Sequence, residues 1–367
     1  MKEPKIIISG GGTGGHIFPA LSIAGELRKR LPDCDILFVG AKGRMEMEKV
    51  PAAGYPITGL PVMGFPRKPG ILMVKFFIML FRSMVEARRI IRRFNPDLAI
   101  GVGGYASGPI LRAAIARKVP ALIQEQNSFA GKTNKILGKK VDRICVAYEG
   151  MERFFPGEKI ILTGNPVRQN LLNPGASREE ALAWFGFSPE EEVLLILGGS
   201  LGARSLNNAV LKNLNVVRKA PFRVIWQTGS LYYEEMVEKT RENRPGNLRI
   251  HRFLDRMEMA YLAADMVISR AGAGTISELC LVGKPAILVP SPNVAEDHQT
   301  RNARALQEKD AAILIRDGEI DEKLFPAAVS LMNDKERLAQ LSENIRRMAL
   351  PGATAGIVDE ALKLLNV

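Results

Sequence analysis

Two hydrophobic rhythms alternate along most of the chain. Short runs of β-branched and apolar residues end in glycine or polar residues, and segments with apolar positions three and four apart follow them. "KIIIS" (5–9) leads into "PALSIAGELRKRL" (19–31), "DILFVG" (35–40) into "MEMEKVPAAG" (45–54), and "DLAIGVGG" (97–104) into "PILRAAIARK" (109–118). "PALIQEQ" (120–126) and "RICVAY" (143–148) are further strands. Runs this apolar are buried on both faces, so the alternation predicts a parallel sheet covered by helices on each side.

The rhythm breaks at "LTGNPVRQNLLNPGAS" (162–177), rich in Gly, Pro and Asn, which reads as a linker or hinge. It then restarts with "EVLLILGGSLGARSLNNAVLKNL" (192–214) and continues through "FRVIWQTG", "LRIHRFL", "MVISRAGAGTISELCLVG" and "PAILVPSP". Each half therefore predicts its own doubly wound domain. With 367 residues, two cores are the default in any case. From about Asp321 the pattern is helical, and "PGAT" (351–354) interrupts it before a last short helix.

Charge adds a preference for anions. The formal charge is +12, which suits nucleic acid, an anionic membrane or a phosphate-bearing substrate. Aromatic residues make up only 6 %, which argues against a nucleic-acid reader. Cys34, Cys145 and Cys280 lack metal spacing and read as buried free thiols in a reducing cytoplasm. The N-terminus does not read as a signal peptide, and no segment reaches the roughly 20 apolar residues of a spanning helix.

Three glycine loops sit between a strand and a helix: Ser9–His16, "GVGGYASGP" (101–109) and "GGSLGARS" (198–205). Free N–H groups and the helix dipole make such places anion sites. The first contains G-x-G-x-x-G at Gly10, Gly12 and Gly15. A NAD site also needs an acidic residue closing the second strand, but the first charged residues there are Lys42 and Arg44. NADP survives in principle, yet three loops in two domains exceed what one dinucleotide needs.

"GGTGGHIFPALSIA", "GVGGYASGP", "QEQNSFAGKTNK", "GNPVR", "GGSLGAR", "SRAGAGTISE" and "EDHQTRNA" follow one another in order from residue 5 to about 305. Together they resemble the MurG family of bacterial N-acetylglucosaminyltransferases. The resemblance implies a GT-B fold, two Rossmann-like doubly wound domains facing a cleft. It implies a UDP-GlcNAc donor, inversion at the anomeric carbon, and lipid I (undecaprenyl-pyrophosphoryl-MurNAc-pentapeptide) as acceptor, giving lipid II. Residues 1–166, with a returning C-terminal helix at about 345–367, would form the acceptor and membrane domain, and 167–344 the donor domain. No cofactor, metal or nucleic acid is implied. The anionic cytoplasmic membrane surface and cell-wall synthesis proteins are the implied partners, with a peripheral location.

Each candidate residue carries a structural alternative. His16 is either a cap or phosphate donor, or a neutral base for the acceptor hydroxyl. Thr13, Gly14 and Gly15 share its loop. Tyr105 is either packing or an acceptor contact. Asn127 is a turn residue or, by resemblance, a contact to the donor sugar. Arg168 is a surface charge or a cation beside the diphosphate. Ser200 and the backbone of 199–203 would hold the leaving diphosphate. "TISE" (275–278) fits a capping box, whereas the resemblance places Glu278 on the ribose. It also implies that Ala273, Gly274, Thr275, Ile276 and Ser277 wrap uracil and ribose, that Leu254 lies against uracil, and that Gln299, with Thr300 beside it, meets the sugar hydroxyls.

The stretch 67–94 combines an apolar stripe with cations. Ile71, Val74, Ile78 and Phe81 align at helical spacing, Phe77 and Met84 lie beside them, and Arg67, Lys68, Lys75, Arg82, Arg88, Arg89, Arg92 and Arg93 surround them. Such a stripe is either core or the docking face of an interfacial helix. A lipid-anchored acceptor favours the second.

Overall fold

The computed structural model describes residues 3–366 except 13, 65, 67–69, 295 and 296, and the side chain of residue 169. The chain divides into two compact units, Met1–Val167 with Gly352–Val367, and Arg168–Pro351.

Among the described residues the first unit holds seven parallel strands: β1 (Lys5–Ser9), β2 (Asp35–Ala41), β3 (Ile57–Leu60), β4 (Leu98–Gly101), β5 (Ala121–Glu125), β6 (Arg143–Val146) and β7 (Ile160–Leu162). Their order is β3-β2-β1-β4-β5-β6-β7. Its helices are α1 (Gly14–Arg30), α2 (Glu46–Ala52), α3 (Ile71–Phe94), α4 (Ser107–Ile115) and α5 (Lys132–Gly138), with a C-terminal helix described below. Alternation along the strands sends residues to opposite faces. Ile6, Ile8, Ile36, Phe38, Leu98 and Ile100 pack with Ala20, Ile23, Ala24 and Leu27 of α1. Ile7, Val39, Ala99, Ala121 and Ile123 pack on the other side with Ala87 and Ile91 of α3 and Ile110 and Leu111 of α4.

The second unit repeats the plan with β8 (Val193–Leu197), β9 (Arg223–Gln227), β10 (Leu248–His251), β11 (Met266–Ser269), β12 (Ala286–Leu288) and β13 (Ile313–Leu314), ordered β10-β9-β8-β11-β12-β13. Its helices are α6 (Arg178–Trp184), α7 (Arg204–Lys212), α8 (Leu214–Lys219), α9 (Tyr233–Thr240), α10 (Met257–Ala263), α11 (Ala273–Val282), α12 (His298–Gln307), α13 (Ile320–Asn333) and α14 (Lys335–Arg347). All pairings in both sheets are parallel. The fold is thus two Rossmann-like units of the GT-B kind.

The last helix, α15 (Ala353–Leu365), belongs to the first unit. Ile357, Val358 and Ala361 join the core face of α1, and the Arg143 Nε lies 3.2 Å from Glu360. The returning segment begins at Gly352, later than the 345 read from the sequence. The reason is that α14 buries Leu338 and Leu341 in the core of the second unit.

Helix α3 is only half docked. Ser83, Ala87 and Ile91 are its buried residues. Ile71, Val74, Ile78 and Phe81 are 85, 59, 55 and 71 % exposed, and Phe77 is exposed beside them. Arg67 and Lys68, counted with this stretch in the sequence, lie outside the described residues. Among the described residues no helix is long and apolar enough to cross a membrane.

Candidate active site

The strand order reverses between β1 and β4 in the first unit and between β8 and β11 in the second. Loops leaving the carboxyl ends of strands at such a switch point form the ligand crevice of an open parallel sheet. The first two glycine loops leave β1 and β4, the third leaves β8, and "RAGAGT" leaves β11. Four of the seven sequence motifs therefore gather at the switch points, whereas "QEQNSFAGKTNK" follows β5, "GNPVR" follows β7 and "EDHQTRNA" follows β12.

In the first unit α1 starts at Gly14, so Gly14 and Gly15 form its first turn rather than the loop before it, and His16 shares that turn. Thr13 lies outside the described residues. The His16 Nδ1 is 3.0 Å from the Gln126 Oε1. The imidazole packs tightly on the second loop: a Cβ at Gly103, whose φ is +99°, would stand 2.7 Å from the His16 Nδ1. Only glycine combines that backbone with that approach. Tyr105 is 52 % exposed.

A buried carboxylate organises the first loop, and the sequence did not point to it. Glu46 opens α2, is fully buried, and turns back under the loop. The Gly12 N–H donates to both of its oxygens at 3.1 and 3.0 Å, and the Ala41 N–H donates at 2.9 Å. A Cβ at Gly11 would lie 2.1 Å from the Glu46 Oε1. So an acidic residue does follow the second strand, but it binds the loop backbone instead of presenting itself to a ribose.

Glu125 plays a similar part for Asn127. It accepts from the Asn127 N–H at 3.1 Å, the Gly131 N–H at 3.0 Å and the Asn134 amide at 2.9 Å. The turn carrying Asn127 is thereby tied to the end of β5.

In the second unit Gly199 and Ser200 are exposed in the third loop. The Gly202 N–H closes a turn onto the Gly199 carbonyl at 3.2 Å. Arg270, at the end of β11, reaches the Ser205 hydroxyl at 2.6 Å and the Asp317 carboxylate at 2.5 Å. This bridge joins the two loops that flank the switch point, and sequence reasoning missed it because Asp317 is remote in the chain.

The capping-box expectation for Thr275 and Glu278 fails. The N-cap of α11 is Gly272, which lies in the extended region, so Thr275 is already inside the helix. Glu278 instead accepts from the Tyr261 hydroxyl at 3.0 Å and pairs with the Arg168 Nε at 3.3 Å. Its side chain is 14 % exposed. Burial holds its carboxyl above the usual range of 4.5, against the opposing pull of Arg168. Arg168 is thus half-exposed and tied to a carboxylate here.

Ala273, Gly274, Thr275 and Ser277 are partly exposed on the first turns of α11, whereas the Ile276 side chain is buried, leaving its backbone as the accessible part. Leu254 is also buried, and its N–H donates to the Gln227 side chain at 3.0 Å. The Gln299 Oε1 accepts from the Ser291 N–H at 2.8 Å, which orients its amide nitrogen away from that strand end. The Thr300 hydroxyl donates to Asp297 at 2.6 Å. Among the described residues no three His, Cys, Asp or Glu side chains group as a metal site.

Comparisons with known proteins identify the family and the fold. The profile of the glycosyltransferase family 28 N-terminal domain matches residues 6–146 and that of the C-terminal domain matches 193–354. The UDP-N-acetylglucosamine--N-acetylmuramyl-(pentapeptide) pyrophosphoryl-undecaprenol N-acetylglucosamine transferase of Parabacteroides distasonis is 56 % identical over 366 residues, covering all of both chains. The protein of the same name from Bacteroides fragilis is 56 % identical over 362 residues, 98 % of this chain and 95 % of its own. Among solved structures, MurG of Acinetobacter baumannii aligns with a TM-score of 0.79 at 28 % identity, covering 99 % of this chain and 100 % of its own. A calicheamicin glycosyltransferase aligns with a TM-score of 0.74 at 16 % identity, covering 100 % of this chain and 99 % of its own, a likeness of fold alone.

Proposed function

The chain belongs to the family 28 glycosyltransferases, and from that premise we propose that it moves N-acetylglucosamine from UDP-N-acetylglucosamine to undecaprenyl-pyrophosphoryl-N-acetylmuramoyl-pentapeptide. The products are lipid II and UDP. The end-to-end identity with relatives named for that transfer carries this reading.

The second unit is the donor domain. Ser200 and the backbone of 199–203, where the N–H groups of Gly199 and Ser200 stand open, take the diphosphate. The first turns of α11 take uracil and ribose, with Glu278 on the ribose hydroxyls and Leu254 beneath the base. Gln299 and Asn127 meet the sugar, and Arg168 exchanges its carboxylate partner for phosphate. The first unit is the acceptor domain, with Gly14, Gly15 and Tyr105 on the acceptor side. His16 removes the proton of the acceptor hydroxyl as that oxygen attacks the anomeric carbon. The bond from this carbon to the β-phosphate oxygen breaks, and its electron pair leaves with UDP. Charge grows on that leaving group, so fixed N–H donors in the third loop lower the barrier.

The exposed half of α3 is the docking face. Ile71, Val74, Ile78 and Phe81 enter the headgroup region of the anionic cytoplasmic leaflet, and each nearby Lys or Arg adds roughly 1 kcal/mol of attraction. The enzyme is then peripheral to that membrane.

One assay tests both parts. Labelled UDP-N-acetylglucosamine is supplied with the lipid-linked acceptor in anionic vesicles, or with a short-chain soluble acceptor. The native chain labels both. Ile78→Ser with Phe81→Ser labels the soluble acceptor normally and the vesicle acceptor poorly, even at low salt. No labelling of either by the native chain overturns the transfer. An unfolded double variant overturns the docking face, because the stripe is then core.

A further inference from the structure

Behind His16 lies a chain of buried amides whose hydrogen bonds run in one direction only. We propose that Gln126 is a positioning residue that fixes His16 as its Nδ1–H tautomer and so puts the basic lone pair on Nε2. The catalytic half of this inference rests on His16 being the base.

The direction follows from chemistry at both ends of the chain. Backbone carbonyls accept and never donate. The Asn165 Nδ2 donates to the Gln126 carbonyl at 3.0 Å, so the Asn165 Oδ1 must be the acceptor facing the Gln124 Nε2 at 2.9 Å. The remaining oxygen of Gln124 then faces the Gln126 Nε2 and accepts from it. Independently, the Gln126 Nε2 donates to the Val102 carbonyl at 2.7 Å. Two backbone anchors thus agree that the Gln126 Oε1 is an acceptor. Its neighbour, the His16 Nδ1 at 3.0 Å, must carry the proton. In a neutral imidazole the other nitrogen then holds the lone pair.

Gln124, Gln126 and Asn165 are nearly or fully buried. Reversing one amide would set two carbonyl oxygens or two NH₂ groups face to face away from bulk solvent. The network therefore holds the tautomer more firmly than one hydrogen bond would. It also ties His16 to the ends of β4, β5 and the segment after β7, so the ring is oriented by the sheet. A neutral amide in this place orients the ring without adding a negative charge behind it.

The chain has only three histidines, His16, His251 and His298, so long-range ¹H–¹⁵N spectra of the full-length protein resolve each ring. His16 is identified by its loss in His16→Asn. In the native chain its Nδ1 should give the protonated-type shift and its Nε2 the unprotonated type. In Gln126→Met, similar in size but without the acceptor, the two tautomers should mix. The kcat should then fall on the order of 10- to 100-fold, less than the roughly 10²–10⁴-fold that losing a general base outright costs, with KM for UDP-N-acetylglucosamine within about twofold. A native Nε2–H ring, or a tautomer unchanged in Gln126→Met, overturns the proposal. The native spectrum decides it even where the variant does not fold. A tautomer that mixes while kcat holds upholds the positioning and overturns His16 as the base.

Discussion

The first and third glycine loops follow the same plan, a strand, glycines and a helix, yet they end in opposite chemical states. In the first, the Gly12 N–H is already bound to the buried Glu46 carboxylate, and the Ala41 N–H shares it. In the third, Gly199 and Ser200 are exposed, and among the described residues their N–H groups have no acceptor. One anion nest carries its own anion, and the other stands open to a ligand's. A glycine loop therefore does not by itself specify a phosphate site. What decides is whether the fold brings a carboxylate beneath it. This difference suits the division of labour proposed above, with the base in the first unit and the diphosphate in the second.

The largest effect is expected at the filled loop. Glu46→Ala strands the Gly12 and Ala41 N–H groups, and leaving buried donors unsatisfied costs about 2–4 kcal/mol in total. Chemical denaturation should register this loss. The melting-temperature rise given by UDP should stay as large as in the native chain, since the proposed diphosphate site is the other loop. Should Glu46→Ala keep native stability and gain affinity for phosphate, the first loop is a ligand nest after all.

Next comes the open loop. At Gly199 φ is +81° and a Cβ meets nothing within 4 Å, so Gly199→Ala suffers backbone strain of only about 1 kcal/mol. The methyl group would stand in the open space assigned to the diphosphate in the proposed donor site. UDP affinity, read by calorimetry, should fall roughly tenfold, or about 1.4 kcal/mol. Unchanged affinity would remove the third loop from the donor site.

The smallest effect concerns Glu278, a nearly buried carboxylate of the second unit. Its folded pKa is raised, so the folded state binds more protons than the unfolded state just above the ordinary value of 4.5. Stability contributed by this group is then lost as pH rises through that window. Glu278→Gln should flatten the decline and raise the melting temperature slightly at neutral pH, while KM for UDP-N-acetylglucosamine increases. A variant that melts lower, with KM unchanged, would assign Glu278 a purely structural role beside Tyr261 and Arg168.

The sequence by itself determined the two Rossmann-like units. Strand alternation and helical spacing are local properties, and each is written in consecutive residues. Ile6, Ile7 and Ile8 already state that β1 is buried on both faces, and the glycines after β1, β4 and β8 mark where the chain leaves the sheet. The exposed stripe on α3 was legible as a stripe; its exposure was not, because periodicity is the same for a core face and a docking face. Tertiary structure decided the partners. Glu278 had the spacing of a capping box, but Gly272 starts the helix and a remote Tyr261 takes the carboxylate. Glu46 lies 34 residues from the Gly12 it holds, and Gln126 lies 110 from His16. Hydrogen-bond direction and burial depend on what the folded chain brings together across such separations, and no local pattern encodes them.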